Sequence, residues 1–224
     1  MKDRRHFVFG VLKSKPSLLD FWLFLEKSGK KLGFLEKDYE LIAQQSRIAS
    51  EEIAESILEE STSLRGLSLY GEENEEPGQF FSYLPGKDRF AFAFREADES
   101  LLPKLTALFA EEFSITNAVS NRSSYSLKFH SHFNPPNTEL TIAPGCHNLK
   151  NNHIQGVSAE MWFGDEFWKY AACNKRDFLA FDWLEIQEHS NHIYAKSWDH
   201  PFDSNEGEQG KTQMNLLKLL YNIK

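Results

Sequence analysis

Apolar positions alternate with polar ones in several short runs and recur with helical spacing in others, so both strands and helices are expected. His6 to Lys13 is short, aromatic and β-branched, and it stops at the turn-like Ser14-Lys15-Pro16, which predicts a first strand. Ser17 follows as a helix cap, with Asp20 three residues on in near capping-box register. Leu18, Leu19, Phe21, Trp22, Leu23, Phe24 and Leu25 surround that helix on nearly every side, the pattern of a helix buried all round. It ends between Gly29 and Gly33, where lysines suit the C-terminal dipole. Residues 36–48 have mixed periodicity and fix no element. Ser50, Glu51 and Glu52 mark a second helix start, with Ile53, Ile57 and Leu58 as its stripe.

Leu64 to Tyr70 reads as a strand and Glu72 to Gly78 as an exposed acidic loop. Phe80–Leu84 and Arg89–Arg95 flank Pro85-Gly86-Lys87-Asp88, a strong turn signal, so they form a hairpin. Within it Phe90, Phe92 and Phe94 share one face, and Ala91 and Ala93 share the other, small enough for a helix to lie close. Ser100 caps a third helix, which tolerates Pro103 in its first turn and has a stripe of Leu101, Leu105, Leu108 and Phe109. Strands follow near 115–120 and 124–133, the second with His130 and His132 on one face. Residues 134–156 are rich in loop signals and offer a subdomain boundary within a single domain spanning 1–224. The tail holds a helix or strand at 158–164, a short helix at 165–171, a strand at 191–198 and a helix at 212–222. Helices and strands do not alternate regularly. The expected class is therefore α+β, a mainly antiparallel sheet with helices packed on it, rather than a doubly wound fold.

Composition narrows the function classes. A chain of 224 residues with 41% hydrophobic and 26% charged residues is globular, and its 19 phenylalanines promise an aromatic core. A net charge of −8 argues against nucleic-acid or membrane-surface binding and suits a basic partner. The basic start and the short apolar run Phe7–Leu12 fall short of a signal peptide, and no stretch is apolar enough to span a membrane, so the cytoplasm is the expected location. Cys146 and Cys173 are too few for a zinc quartet.

Candidate chemistry is sparse. His130 and His132 alternate on one strand face and could share a metal ion, with a third ligand from His147, His153, His189 or a carboxylate; the other reading is a solvated strand face. Glu185, Glu188, His189 and His192 form a second polar cluster without the His-Glu-x-x-His order, and Ser190-Asn191 favour a surface turn there. Gly207 to Thr212 ends like a phosphate loop, but Asn205 stands where the first glycine belongs, so Gly210 and Thr212 read as helix-start chemistry. Tyr70 breaks the nucleophile-elbow pattern begun at Gly66, and Cys146-His147 are sequence neighbours that rarely face each other. No catalytic residue and no cofactor is indicated.

Recognition fits better. One acidic surface is Glu72, Glu73, Glu75 and Glu76; a second mixes Asp165, Glu166, Asp199, Asp203, Glu206 and Glu208 with Trp162, Trp168, Trp198 and Phe202. Rings supply buried contact while carboxylates steer a basic partner; the alternative is that Trp162 and Trp168 fill the core. The layout resembles the bacterial polymorphic-toxin immunity proteins, and within them the group called immunity protein 52. The resemblance is carried by the N-terminal strand and long helices and by Arg89-Phe90-Ala91-Phe92-Ala93-Phe94 leading into the Leu101–Phe113 helix. It continues in Met161-Trp162-Phe163, His192-Ile193-Tyr194-Ala195-Lys196, Pro201-Phe202-Asp203 and the last helix. The turn expected of that group is present only as Ala159-Glu160-Met161-Trp162. The resemblance implies a stoichiometric inhibitor of a secreted toxin, often a nuclease, with no catalytic residues of its own.

Overall fold

The fold was taken from a computed structural model, which describes residues 5–42, 46–59, 64–73, 76–95, 98–122, 144–145, 147–150 and 152–222; the side chains at 5, 72, 73, 76 and 77 are outside that description. Twelve strands are present among the described residues: β1 (Arg5–Leu12), β2 (Asp38–Leu41), β3 (Ser46–Ala49), β4 (Leu67–Glu73), β5 (Glu76–Leu84), β6 (Arg89–Arg95), β7 (Ile115–Arg122), β8 (His147–Leu149), β9 (Ile154–Gly156), β10 (Glu160–Gly164), β11 (Glu185–Glu188) and β12 (His192–Lys196). The helices are α1 (Leu18–Leu32), α2 (Ile53–Glu59), α3 (Leu101–Glu112), α4 (Lys175–Leu179) and α5 (Gly207–Tyr221). Ten strands make one sheet in the order β11-β12-β10-β7-β1-β6-β5-β4-β2-β3, and β8-β9 form a separate hairpin. Every pairing in the large sheet is antiparallel, which gives the expected α+β class.

Strand alternation sends side chains to two separate cores. On one face Val8, Phe81, Phe92, Phe94, Ala118 and Trp162 meet α1, α2 and α3 through Phe21, Trp22, Ile57, Leu105 and Phe109. This core is aromatic: Phe90 and Phe109 approach to 4.6 Å, and Phe21 lies stacked on Phe92 at 6.2 Å. On the other face Val11, Val119, Met161, Phe163, Ile193 and Ala195 meet α5 and the segment 165–184 through Phe167, Phe178, Leu216, Leu217 and Leu220. The first core thus belongs to the N-terminal half of the sheet and the second to its C-terminal half. They overlap on β1, β7, β10 and β12.

Several local expectations are refined. Ser17 and Asp20 do form a reciprocal capping box, with Asp20 N donating to Ser17 Oγ at 3.0 Å and Ser17 N to Asp20 Oδ2 at 2.9 Å. But α1 is amphipathic, not buried all round: Leu23 is 45% exposed, because only one face of the helix can meet the sheet. Residues 36–48, left without an element, contain the hairpin strands β2 and β3. The acidic loop expected at 72–78 is instead the end of the β4–β5 hairpin, with Glu72 paired to Pro77 and Glu73 to Glu76. Ser50 begins a 3-10 turn before α2, and Ser100 makes no side-chain capping bond. The last helix starts at Gly207 rather than 212, and Gln213 holds its first turns by donating to the Ser204 carbonyl at 2.8 Å. The strand expected at 124–133, with His130 and His132, is outside the described residues.

β7 is buried on both faces, so its polar side chains need partners. Asn117 finds them in the β9 backbone, donating to Ile154 O and accepting from Ile154 N, both at 2.8 Å. Asn117→Ala leaves both backbone groups without a partner in a dry interior. A stability loss of about 3 kcal/mol is expected in urea unfolding.

Candidate functional site

The C-terminal margin of the sheet carries an open groove on the face that α3 occupies. Its floor follows from alternation: Trp162 on β10, Tyr194 and Lys196 on β12, and Glu185 and Gln187 on β11 all point the same way. Pro103, Lys104 and Ala107 of α3 form one wall around a hollow of about 290 Å³. Past Glu185 and Lys196 the floor continues into a second hollow of about 280 Å³ bounded by Trp183, Ser197, Trp198 and Asp199. Glu185 and Lys196 line both, so the two hollows are one surface feature. Trp183 is 41% exposed, an uncommon setting for so large a ring.

The groove is acidic at its centre. Lys196 is paired in register with Glu160 on one side and Glu185 on the other, and its Nζ reaches Asp199 at 3.4 Å. One ammonium therefore faces three carboxylates. Glu160 also accepts a hydrogen bond from Tyr194 Oη at 2.7 Å. Burial, with repulsion from Glu99 and Glu185, still raises its carboxyl above the usual range despite that bond and Lys196. Trp162 Nε1 is buried with no acceptor among the described residues.

The turn joining β11 to β12 is fastened to α3. Asn191 Nδ2 donates to the carbonyls of Ala110 at 2.8 Å and Glu111 at 3.3 Å, satisfying the free end of the helix. His189 Nδ1 lies 3.6 Å from Glu111 and its ring stacks on His192 at 4.4 Å. His192 is fully buried, and its Nδ1 is 3.0 Å from Asn191 Oδ1.

The sequence-derived residues are dispersed. Trp162 is a core residue whose edge lines the groove, and Trp198 and Asp199 stand at the groove's outer end, Trp198 6.3 Å from Phe202. Trp168 packs into the opposite core against Phe163 and Phe178. Asp165 pairs with Lys175, and Glu166 with Lys169 and Lys13, at the far end of β10 from Glu160. Asp203 accepts from Gln209 at the start of α5, and Glu208 pairs with Lys211. Glu72, Glu73 and Glu76 stand on β4 and β5, five strands or more from β12; at about 4.8 Å per strand that is roughly 24 Å. Glu75, His130, His132 and Cys146 are outside the described residues. His147 is instead bonded to Asn121 and the Val157 carbonyl, and His153 stacks on Tyr170 at 4.4 Å. Among the described residues no group of three or more His, Cys, Asp or Glu is arranged to hold a metal ion. Cys173 is a free thiol raised above its usual pKa chiefly by burial. Glu185 and Glu188, read as part of a surface turn, lie on strand β11.

Trp183, Glu185, Glu160, Tyr194 and Lys196 were not singled out as a recognition surface by sequence. The signal available was the alternation in Glu185-Ile186-Gln187 and Ile193-Tyr194-Ala195-Lys196, which puts Glu185, Gln187, Tyr194 and Lys196 on one face.

No protein-family model matches the chain, and no curated protein matches it. Among solved structures it is similar to the Pseudomonas aeruginosa T6SS protein PA0821, with a TM-score of 0.60, 11% sequence identity, and coverage of 99% of this chain and 73% of that one. At that identity the likeness is one of fold. No described helix is long and apolar enough to cross a membrane.

Burial holds both His6 and His192 near pKa 4, helped by the charges of Arg122 and His189 respectively. Their folded values lie below the unfolded value near 6.5, so between about pH 6.5 and 4 the unfolded chain takes up protons that the folded chain refuses. Stability is full above pH 6.5 and falls as pH drops through this window. Urea unfolding at pH 5 should give a stability lower than at pH 7 by roughly 2 kcal/mol for each of the two histidines. His192→Gln should remove its own share of that fall and leave the share of His6.

Proposed function

We propose that this chain is a non-enzymatic binding protein of the immunity type, which neutralises a secreted bacterial toxin by stoichiometric association with a basic part of it. The observation that carries the reading is the groove at the sheet margin, where the exposed ring of Trp183 and the half-buried ring of Trp198 stand with Glu185 and Asp199 around an under-neutralised acidic floor. Rings of this kind supply contact area at low entropic cost, and carboxylates speed and orient the approach of a cationic surface. The net charge of −8 acts in the same direction at longer range. The fold shared with a protein of a T6SS, a secretion system, supports the same reading, as does the layout resemblance to immunity proteins. A groove floored by strand residues and walled by a helix offers a rigid receptor, which suits inhibition by occupancy rather than by turnover.

If a secreted effector is encoded beside this chain, coexpression with it should yield a one-to-one complex and restore growth of cells poisoned by that effector. Association should slow as ionic strength rises, and reversing charge with Glu185→Lys and Asp199→Lys should lower the association rate roughly tenfold while leaving the thermal midpoint near that of the parent. Stopped-flow tryptophan fluorescence measures both. An association rate indifferent to salt and to both reversals would sink the groove as the contact surface.

A further inference from the structure

We infer that β11 is a docking edge: an extended, cationic segment of the partner protein adds to the sheet beside it as a further strand, with its basic side chains over the groove. The inference deepens the binding function proposed above and rests on it for the identity of the partner as a protein.

β11 ends the sheet. It pairs with β12 on one side, and among the described residues no strand lies on the other, so a row of backbone N–H and C=O groups faces outward. An edge of this kind is a template for another strand, and the main-chain bonds supply affinity whatever the side chains are. The side chains then choose the occupant. Glu185 and Gln187 point to the groove face, while Ile186 packs toward the second core on the opposite face and Glu188 shares that side. A complementary strand therefore alternates basic residues over Glu185 and Gln187 with apolar residues beside Ile186. Asp182 just before the strand and Asp199 across the groove are both exposed and extend the negative field. A second copy of β11 laid antiparallel and centred on Ile186 would set Glu185 against Gln187 and bring no cation to the acidic face, whereas a basic strand supplies one. The exposed ring of Trp183 stands where an incoming guanidinium or ammonium can lie on it. The edge is also held ready. Asn191 and His189 fasten its turn to α3, and Phe181 lies 6.3 Å from Trp183 at its start, so the strand need not reorder to receive a partner. The opposite edge of the sheet, β3, differs: Ser46-Arg47-Ile48-Ala49 carries no carboxylate.

The test uses the full chain, isotope-labelled, and two synthetic peptides. One alternates arginine and valine; the other has the same sequence with every second backbone nitrogen methylated. Strand addition predicts that the first peptide slows hydrogen exchange at β11 amides, and that N-methylation weakens binding by roughly tenfold or more because backbone bonds are lost while charge is kept. Glu185→Lys with Glu188→Lys should weaken the unmodified peptide by a similar factor. Equal affinity for the two peptides, or binding without protection in β11, overturns strand addition and leaves only charge attraction. A chain that self-associates through β3 and β11, seen as a dimer by light scattering that the peptide fails to dissociate, overturns it as well. The proposed function is judged separately. If Glu185→Lys with Glu188→Lys still binds and neutralises the effector at parental affinity, the edge is wrong and the immunity role stands. If the parent chain binds no effector while β11 is protected by the peptide, the edge stands and the immunity role falls.

Discussion

The two halves of the molecule are joined by one strand that has to be buried on both faces. β7 has β1 on one side and β10 on the other, and it contributes to both the core under α1 to α3 and the core under α5, which overlap from β1 to β12. An interior strand of this kind is usually a run of branched apolar residues, yet β7 reads Ile115-Thr116-Asn117-Ala118-Val119-Ser120-Asn121-Arg122. Its polar members are tolerated because the C-terminal half brings partners to them. The Asn117 side chain clamps Ile154 and that of Asn121 bonds to His147, while the Ser120 backbone amide donates to Ser158 Oγ at 3.1 Å and the Ser120 hydroxyl finds no partner among the described residues. These bonds are worth little in net energy but cost much when one side is missing. They therefore fix which loops may sit on β7, and so fix the position of β10 and of everything beyond it. Tyr221 continues the same logic from α5, its hydroxyl donating to the Ile154 carbonyl at 3.0 Å and accepting from Gly156 N at 3.3 Å.

That arrangement explains what was legible in the chain and what was not. Segments whose pattern is local were readable: the capping box at Ser17 and Asp20, the hairpin around Pro85-Gly86, the phenylalanine alternation of β6. All three depend on residues within a few positions of each other. The β2–β3 hairpin was not, because Asp38–Leu41 and Ser46–Ala49 are four residues each, and only Tyr39 and Leu41 are buried among the first four. β11 was hidden for a related reason. As an edge strand it buries almost nothing, so Glu185-Ile186-Gln187-Glu188 looks like a solvated turn until its pairing with β12 is known. The candidate site shared that obscurity. Its carboxylates come from β10, β11 and the turn after β12, and strand pairing alone puts Glu160 and Glu185 on either side of Lys196.

The same topology divides the acidic residues. Sequence proximity placed Asp165, Glu166, Trp168 and Asp203 with Trp198 and Asp199, but a strand reverses facing at every residue, and β10 turns Trp162 toward one core while the segment after it carries Trp168 into the other. Asp165, Glu166 and Glu208 then find lysines nearby, and Asp203 finds Gln209. Exposed pairs of this sort contribute little to stability, but they neutralise the local field. What distinguishes the groove is not the number of its acids but the shortage of cations among them.

That shortage has a structural cause. Glu160 is partly buried, with Tyr194 and Lys196 the groups that favour its charge, and Lys104 of α3 stands in the groove wall rather than on the floor. Adding a second internal lysine would relieve the repulsion and would also fill the space between β11 and α3. The chain instead keeps the space open and the charge unbalanced, at some cost in self-repulsion. A surface of that kind is neutralised most favourably by a cation that arrives on another molecule, because the incoming charge meets carboxylates already held in place, Glu160 among them partly desolvated. The rings of Trp183 and Trp198 at the mouth would cover such a cation from water, strengthening the pairing where the local dielectric is lowered. The groove's shape, charge and position at an open sheet margin are thus consequences of one arrangement: two carboxylates brought by strand pairing, and a third by the turn after β12, to a single lysine.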